Sequence, residues 1–339
     1  MSGVTLGRPI RLGILSLAHH HADGYLGIID RLPGVDLVGL WDEDGARGAD
    51  AAAAHGTRAF ATEADLFSAG VDGVIVCSVN SEHRRLAELA AAAGVHVLCE
   101  KPLGGRVADA RAIIAACAAA DVRLMTAFPM RFSPLLRALH ASVRSGAVGE
   151  IVCLEGVNTG EMPDVHRAWF VDPTLAGGGA LMDHVVHLAD LYRWILRVEV
   201  VEVYAVANRI LQDGYAGVET GGFLSLRFAN GVIATIDCSW SKPRSYPTWG
   251  GLALEVVGTE GVVTTDAFRQ HLVVYGRPED GISWPFWGSD PNAGMLAEFA
   301  AAIREGRPPA ITGLDGLRAL EIVEAAYRSV GSGTPVQIR

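Results

Sequence analysis

No apolar run in the 339-residue chain approaches the roughly 20 residues that a membrane-spanning helix needs, so no membrane partner is expected. Basic residues are in the minority, 28 Lys and Arg against 38 Asp and Glu, and they form no cluster. A nucleic-acid surface is thereby excluded. Cysteine is sparse. Cys77, Cys99, Cys117, Cys153 and Cys238 are scattered without a CxxC, as free thiols of a reducing cytoplasm would be. Met1 to Arg11 lack the apolar core of a signal peptide, and cytoplasm is the expected location. Internal repeats and low-complexity linkers are also missing. What remains is a chain that is 50% apolar and 19% charged, the balance of a well-packed soluble protein. It is too long for one ordinary core, so two domains are expected, 1–127 and 128–339.

The first third alternates. Strand-length apolar runs at 10–17, 35–41, 71–78, 95–99 and 122–127 are separated by helical patterns at 23–31, 47–55, 82–93 and 107–120. Strands joined through helices run parallel, which predicts a doubly wound sheet with ligands beyond the strands' carboxyl ends. After the first strand a dinucleotide site would carry G-x-G-x-x-G; here Ser16-Leu17-Ala18-His19-His20-His21 stands instead. Ser16 and Ala18 are small enough for the turn, and His19 adjoins a helix N-terminus, where imidazole and backbone N–H groups can meet phosphate. His19 and His21 also invite a metal reading. Consecutive loop residues rarely converge on one ion, and no metal is expected.

Asp42 ends the second strand, where an acid grips the adenosine ribose and repels a 2′-phosphate. This favours NAD, with NADP admissible if Arg47 offsets the carboxylate. Ser78, Asn80 and His83 follow the third strand. Glu100-Lys101-Pro102 follows the fourth, and a lysine there, its direction set by proline, can bind a substrate hydroxyl and shift its pKa.

The stretch Gly177-Gly178-Gly179-Ala180-Leu181-Met182-Asp183-His184-Val185-Val186-His187 combines a permissive backbone with a helical pattern. Asp183 and His187 are four apart, which on a helix places them on one face. A carboxylate beside an imidazole is a means of orienting a general acid/base, although a solvated pair at a helix N-terminus has the same pattern. The loop 158–172 ahead of it carries His166, Arg167 and Trp169, suited to hydroxyls and a sugar face. Arg131 follows the fifth strand and is a further substrate candidate, or a salt-bridge residue. Later strand patterns at 198–209, 221–228, 231–240, 252–257 and 262–267, with an Asn230-Gly231 turn, predict an antiparallel sheet. Aromatic loops at 239–249 and 284–287 and helices at 295–304 and 314–329 complete the chain.

Val95 to Leu103, with its Glu100-Lys101-Pro102, resembles the signature of the glucose–fructose oxidoreductase/inositol dehydrogenase (Gfo/Idh/MocA) family. Asp183 and His187 resemble that family's second signature. Asn80 with His83, Arg131-Phe132 with Pro134, Asp172-Pro173, Phe228 to Val232 and Val257 to Gly261 match as well. The resemblance covers nearly the whole chain. It implies an α/β Rossmann-type domain followed by an α+β domain whose large, mostly antiparallel sheet is covered by helices on one face. It also implies hydride transfer between a nicotinamide cofactor and a sugar, polyol or related cyclic alcohol. In that reading Lys101, Asp183 and His187 are catalytic. Ser16, Ala18, His19, Asp42, Ser78, Asn80, His83, Glu100 and Lys101 hold the cofactor, Glu100 near the nicotinamide ribose. Arg131, His166, Trp169 and His184 meet substrate. A homodimer or homotetramer through the C-terminal sheet is implied too. The chain departs from the family in its missing glycines, in Ser78-Val79 where Thr-Pro is common, in Trp169-Phe170 for Trp-Arg, and in His184. Alternatives are a recycled, tightly bound nicotinamide serving non-redox sugar chemistry, a dinucleotide or sugar sensor, and a metal enzyme using His19, His21, His83, His184 or His187.

Overall fold

A computed structural model describes residues 8–165, 167–212, 217–248, 250–269, 271, 273–275, 282–283 and 288–338. His166, Trp249, Trp284 and Trp287 lie outside the described residues. The chain forms two compact units, Met1–Ala127 with Asn292–Leu317, and Phe128–Pro291 with Arg318–Arg339.

The first unit is built on five parallel strands, β1 (Ile10–Leu15), β2 (Val35–Trp41), β3 (Gly73–Val76), β4 (His96–Cys99) and β5 (Leu124–Thr126), in the order β2-β1-β3-β4-β5. Four helices, α1 (His21–Ile29), α2 (Gly45–Ala54), α4 (His83–Ala92) and α5 (Val107–Ala119), make the crossovers, with a short α3 (Glu63–Ser68) before β3. Apart from Arg11 in β1 and His96 at the start of β4, the inner strands are apolar and buried, because both faces of a parallel sheet are covered. Strand order reverses at β1, so the ligand crevice of such a sheet lies beyond the carboxyl ends of β1 and β3. The helix α3 has no apolar stripe to announce it; Thr62 caps it by accepting from the Asp65 amide.

The division at 127/128 expected from the sequence misses one excursion. Residues 292–317 return to the first unit, bringing most of a helix at Pro291–Glu305. Its Phe299 and Ile303 lie over Gly73, where an added Cβ would stand 3.0–3.1 Å from them. An edge contact through glycine leaves no apolar signal in the strand.

In the second unit α6 (Pro134–Arg144) precedes β6 (Ile151–Gly160), a short α7 (Pro173–Ala176) and α8 (Val186–Leu196). Five strands follow, β7 (Val200–Asn208), β8 (Gly221–Phe228), β9 (Ile233–Ser239), β10 (Gly250–Gly258) and β11 (Val262–Asp266). A two-residue pair, β12 (Val274–Tyr275) and β13 (Ile282–Ser283), stands apart. The helix Pro291–Glu305 is α9; α10 (Gly313–Ser332) and β14 (Val336–Gln337) end the chain. The sheet runs β11-β10-β6-β9-β8-β7-β14. Only β6 and β9 pair in parallel. In β8 the residues Leu224, Leu226 and Phe228 are buried while Phe223, Ser225 and Arg227 face out. One sheet face is therefore core and the other solvent.

The helix expected to start at Leu181 opens instead as a π-turn, Leu181–Val185, and becomes α-helical at Val186. Such wide turns are frequent at functional sites. α8 packs on β6. Tyr192 donates to the Thr235 carbonyl at 2.7 Å, and Gly156 provides the seat, since a Cβ there would overlap the Tyr192 hydroxyl and come within 2.7 Å of Leu188. Gly156→Ala should overpack this seat and cost about 1–3 kcal/mol, read as a lower urea midpoint at unchanged slope. An unaltered midpoint would mean that the helix is not seated there.

Candidate functional site

In the first unit, Ser16 has φ 69°, in the left-handed region where the missing first glycine would sit. Its hydroxyl accepts from the Ala18 amide at 3.1 Å, so the side chain stabilises the turn that its backbone makes costly. The turn leads into the N-terminus of α1, whose dipole favours an anion, and the amides of His21, Ala22 and Asp23 there bond His19 Nδ1 and the carbonyls of His19 and His20. A left-handed turn, small Ala18 and a helix start fit a dinucleotide pyrophosphate without the glycine fingerprint.

The Asp42 carboxylate accepts from the amides of Leu17 and Asp44 and from Arg47, whose Nε and Nη2 lie 3.1 and 2.8 Å away. It thus ties the β1 turn to β2 while Arg47 offsets its charge. His19 is buried, and its Nδ1 accepts from the His21 amide at 3.2 Å. In the neutral ring that bond places the hydrogen on Nε2, making Nε2 a donor. Burial and the neighbouring His21 and His20 hold the His19 pKa well below its ordinary value, so the ring is neutral.

Glu100 is fully buried. It accepts from the Tyr25 hydroxyl, from His21 Nδ1 at 3.1 Å and from the Lys101 amide at 3.0 Å. Burial pushes its carboxyl up, but His21, Tyr25 and Lys101 outweigh burial and hold it low. It thereby binds α1 to the segment carrying Lys101. His83 is likewise fully buried. Its Nδ1 lies 2.9 Å from the Pro102 carbonyl and its Nε2 3.3 Å from the Ser78 carbonyl, and the ring, held neutral by burial, donates its one N–H to either of them, at the ends of β4 and β3. Ser78 turns its hydroxyl onto the Val79 carbonyl at 3.0 Å, and Asn80 opens the short turn before α4. Lys101 is buried and precedes a cis proline.

His19, His21 and Glu100 have potential ligand atoms within 4.8 Å of one another. The donor set does not suit a cation, because His19 Nδ1 is engaged and Nε2 carries hydrogen, while Glu100 already serves Tyr25 and Lys101.

In the second unit, Asp183 and His187 are buried on the π-turn and the first turn of α8. Trp240 Nε1 donates to Asp183 Oδ2 at 3.0 Å, and His184 Nε2 lies 3.6 Å from the same oxygen. The His187 ring meets Phe128 edge-on at 6.2 Å. His184 is fully buried beside the Asp183 carboxylate. Arg131 is buried as well. Its Nε donates to Asp190 Oδ2 at 2.8 Å and its Nη2 to Oδ1, a buried bidentate pair that anchors α8. Trp169 is buried with one face stacked on Phe170 at 4.0 Å.

Trp240, Asp190 and Tyr25 escaped the sequence reading as site residues. Asp190 had a signal, lying one turn beyond His187 on the same helical face. Trp240 had only an indole after an alternating strand.

A parallel sheet with a ligand-ready switch point, joined in one chain to a carboxylate–imidazole helix on a second sheet, defines a two-domain nicotinamide-dependent oxidoreductase. Residues 16–128 match the oxidoreductase family's NAD-binding Rossmann fold and residues 136–264 the GFO/IDH/MocA C-terminal domain. The chain belongs to the Gfo/Idh/MocA family. It is 30% identical to the D-apiose dehydrogenase of Paraburkholderia graminis, over 98% of this chain and 89% of that one. It is 29% identical to the 1,5-anhydro-D-fructose reductase of Ensifer adhaerens, over 97% and 98%. The structure of GenD2 from gentamicin A biosynthesis, in complex with NAD, superposes with a TM-score of 0.90 at 27% identity, covering 100% of this chain and 99% of that one.

Burial lowers the pKa of both His19 and His83 from 6.5. Unfolding restores the ordinary value, so below it the unfolded chain binds more protons and stability falls as pH drops. The urea midpoint should be lower at pH about 5.5 than at about 7.5, and His83→Gln should shrink the difference. A midpoint indifferent to pH across that window would contradict the neutral assignment.

Proposed function

We propose that this protein is an NAD-dependent dehydrogenase or reductase acting on a hydroxyl or carbonyl of a sugar, polyol or related cyclic alcohol. The observation that carries the reading is the buried Asp183–His187 helix in a chain whose first unit is an NAD-binding fold. The named relatives act on sugars, which supports the substrate class.

NAD, when bound, supplies the acceptor or donor of the hydride. Ser16, Ala18, His19 and the start of α1 would hold its phosphates, and Asp42 its adenosine ribose. The Arg47–Asp42 pair weakens the rejection of a 2′-phosphate, so NAD is preferred and NADP tolerated. In the oxidative direction His187 takes the substrate hydroxyl proton as the hydride leaves carbon. Lys101 would supply, from the first unit, a donor able to stabilise charge developing on a substrate oxygen. Asp183, fixed by Trp240, supports the protonated imidazole electrostatically. Trp169 offers an indole to a sugar face.

A second copy of the chain is the partner that the outer sheet face fits. Val206 and Phe223, each about half exposed, pair across β7 and β8 and form an apolar spot that self-association would cover. The five thiols are unpaired and four are buried, in keeping with a reducing cytoplasm; among the described residues no helix is long and apolar enough to cross a membrane.

A panel of sugars and polyols with NAD and NADP, read by nicotinamide absorbance, tests the activity. Lys101→Ala and His187→Ala should each lower kcat/KM by roughly 10²–10⁴-fold, with NADH affinity of the His187 variant retained. Full activity in both variants would refute these roles. Light scattering after size exclusion should show an oligomer that Phe223→Asp dissociates; a monomeric parent would refute the interface.

A further inference from the structure

The segment that begins the catalytic helix has four amides without intrahelical acceptors, those of residues 179–182, since the Asp183 amide already bonds the Gly179 carbonyl at 3.0 Å. All four are met by two side chains and one carbonyl from elsewhere in the second unit. Glu219 Oε1 accepts from Gly179 at 3.0 Å and Leu181 at 2.9 Å, and the Glu219 carbonyl accepts from Ala180 at 3.0 Å. The Tyr327 hydroxyl donates to Glu219 Oε1 at 2.8 Å, while its oxygen faces the amides of Gly179 and Met182.

This arrangement explains the glycines. A Cβ on Gly178 would overlap the Tyr327 hydroxyl, and one on Gly179 would overlap the Glu219 carbonyl and come within 2.9 Å of Val218. The backbone approaches Glu219 and Tyr327, not a ligand. The helix N-terminus, elsewhere a site for substrate anions, is filled by the protein's own carboxylate.

The next residue continues the chain of bonds. The Thr220 carbonyl accepts from the Trp240 amide at 2.9 Å, and the Trp240 indole donates to Asp183. Met162, Ala180, Val218 and Trp240 pack as one buried cluster around this path. Glu219–Thr220 thus grips both sides of Asp183, the helix that carries it and the indole that holds it.

We propose that Glu219, locked by Tyr327, is a positioning residue for the Asp183–His187 pair, setting the register of the first helical turn and, through Thr220 and Trp240, the orientation of the Asp183 carboxylate. The proposal rests on the catalytic reading of Asp183 and His187 given above. Burial pushes the Glu219 carboxyl up from its ordinary value, against the bonds from Tyr327, Leu181 and Gly179, so its hold on the turn depends on those donors.

The Trp240 indole N–H is a reporter that needs no substrate. In protein labelled with ¹⁵N-tryptophan its resonance is assigned by its loss in Trp240→Phe, and Asp183→Asn shows where it moves when its acceptor is altered. Glu219→Gln and Tyr327→Phe should shift this resonance toward its Asp183→Asn position. The other tryptophan resonances and the NADH dissociation constant should stay at their wild-type values. Tyr327→Phe keeps the ring's bulk and decides the matter if Glu219→Gln does not fold. A Trp240 resonance unmoved in the folded variants overturns the positioning role, as does loss of NADH affinity in step with the shift, which would mark a general structural effect. Failure of the wild-type protein to bind NADH would count against the functional reading instead.

Discussion

A carboxylate withdrawn from water must be met by donors or become neutral, and this single requirement organises both units. Asp42 draws the Leu17 and Asp44 amides and the Arg47 guanidinium onto itself and so shapes the turn after β1. Glu100 draws in His21, Tyr25 and the Lys101 amide, joining the start of α1 to the end of β4. Asp190 takes both arms of Arg131. Glu219 collects the amides before the π-turn. In each case a segment with functional residues is held by an acid that stands next to the chemistry or at a distance from it. Removing one partner from a buried charged pair costs about 3–5 kcal/mol, a large share of the 5–15 kcal/mol that holds a domain folded. Such contacts therefore fix local geometry far more firmly than surface ion pairs, which contribute at most about 1 kcal/mol.

The same requirement accounts for the missing dinucleotide glycines. A fingerprint glycine supplies a left-handed backbone and close approach. Ser16 supplies the first at some conformational cost, and its hydroxyl bond to Ala18 together with the Asp42 bond to Leu17 offsets that cost. The neighbouring histidines add side-chain donors where the fingerprint uses bare backbone. His19 is held neutral by burial and by its own neighbours, and the bond from the His21 amide selects its tautomer. The loop therefore reaches a left-handed turn ahead of α1 by a different route.

Much of the frame was legible because it rests on local patterns. Apolar runs separated by helices dictated the parallel sheet, and alternation dictated the antiparallel one. Lys101 and Asp183–His187 stood out because their chemistry and spacing lie within a few residues. What was hidden depends on pairs distant in sequence: Arg131 with Asp190, Trp240 with Asp183, Tyr327 with Glu219. Nothing in Glu219 or Tyr327 alone marks them. The glycine run was visible, but the ligand approach inferred from it was replaced by an internal contact. Glu100, His83 and His184 were assigned to ligands for the same reason. Their internal partners, which lie apart in sequence for Glu100 and His83, were not legible in the chain.

His184 shows how far this division reaches. On an ideal helix it would lie about 100° from Asp183, facing elsewhere. Within the π-turn it comes to 3.6 Å from the Asp183 oxygen that Trp240 also holds. A wider turn brings consecutive residues into a shared environment, so the insertion that makes the turn π-helical also recruits His184 to the carboxylate. The turn in turn needs its amides satisfied from outside, because the first four amides of a helix have no intrahelical acceptors. The family's departure at position 184, the glycines that admit Tyr327 and the acid at 219 are then parts of one arrangement. Changing any of them alters the others before it reaches substrate.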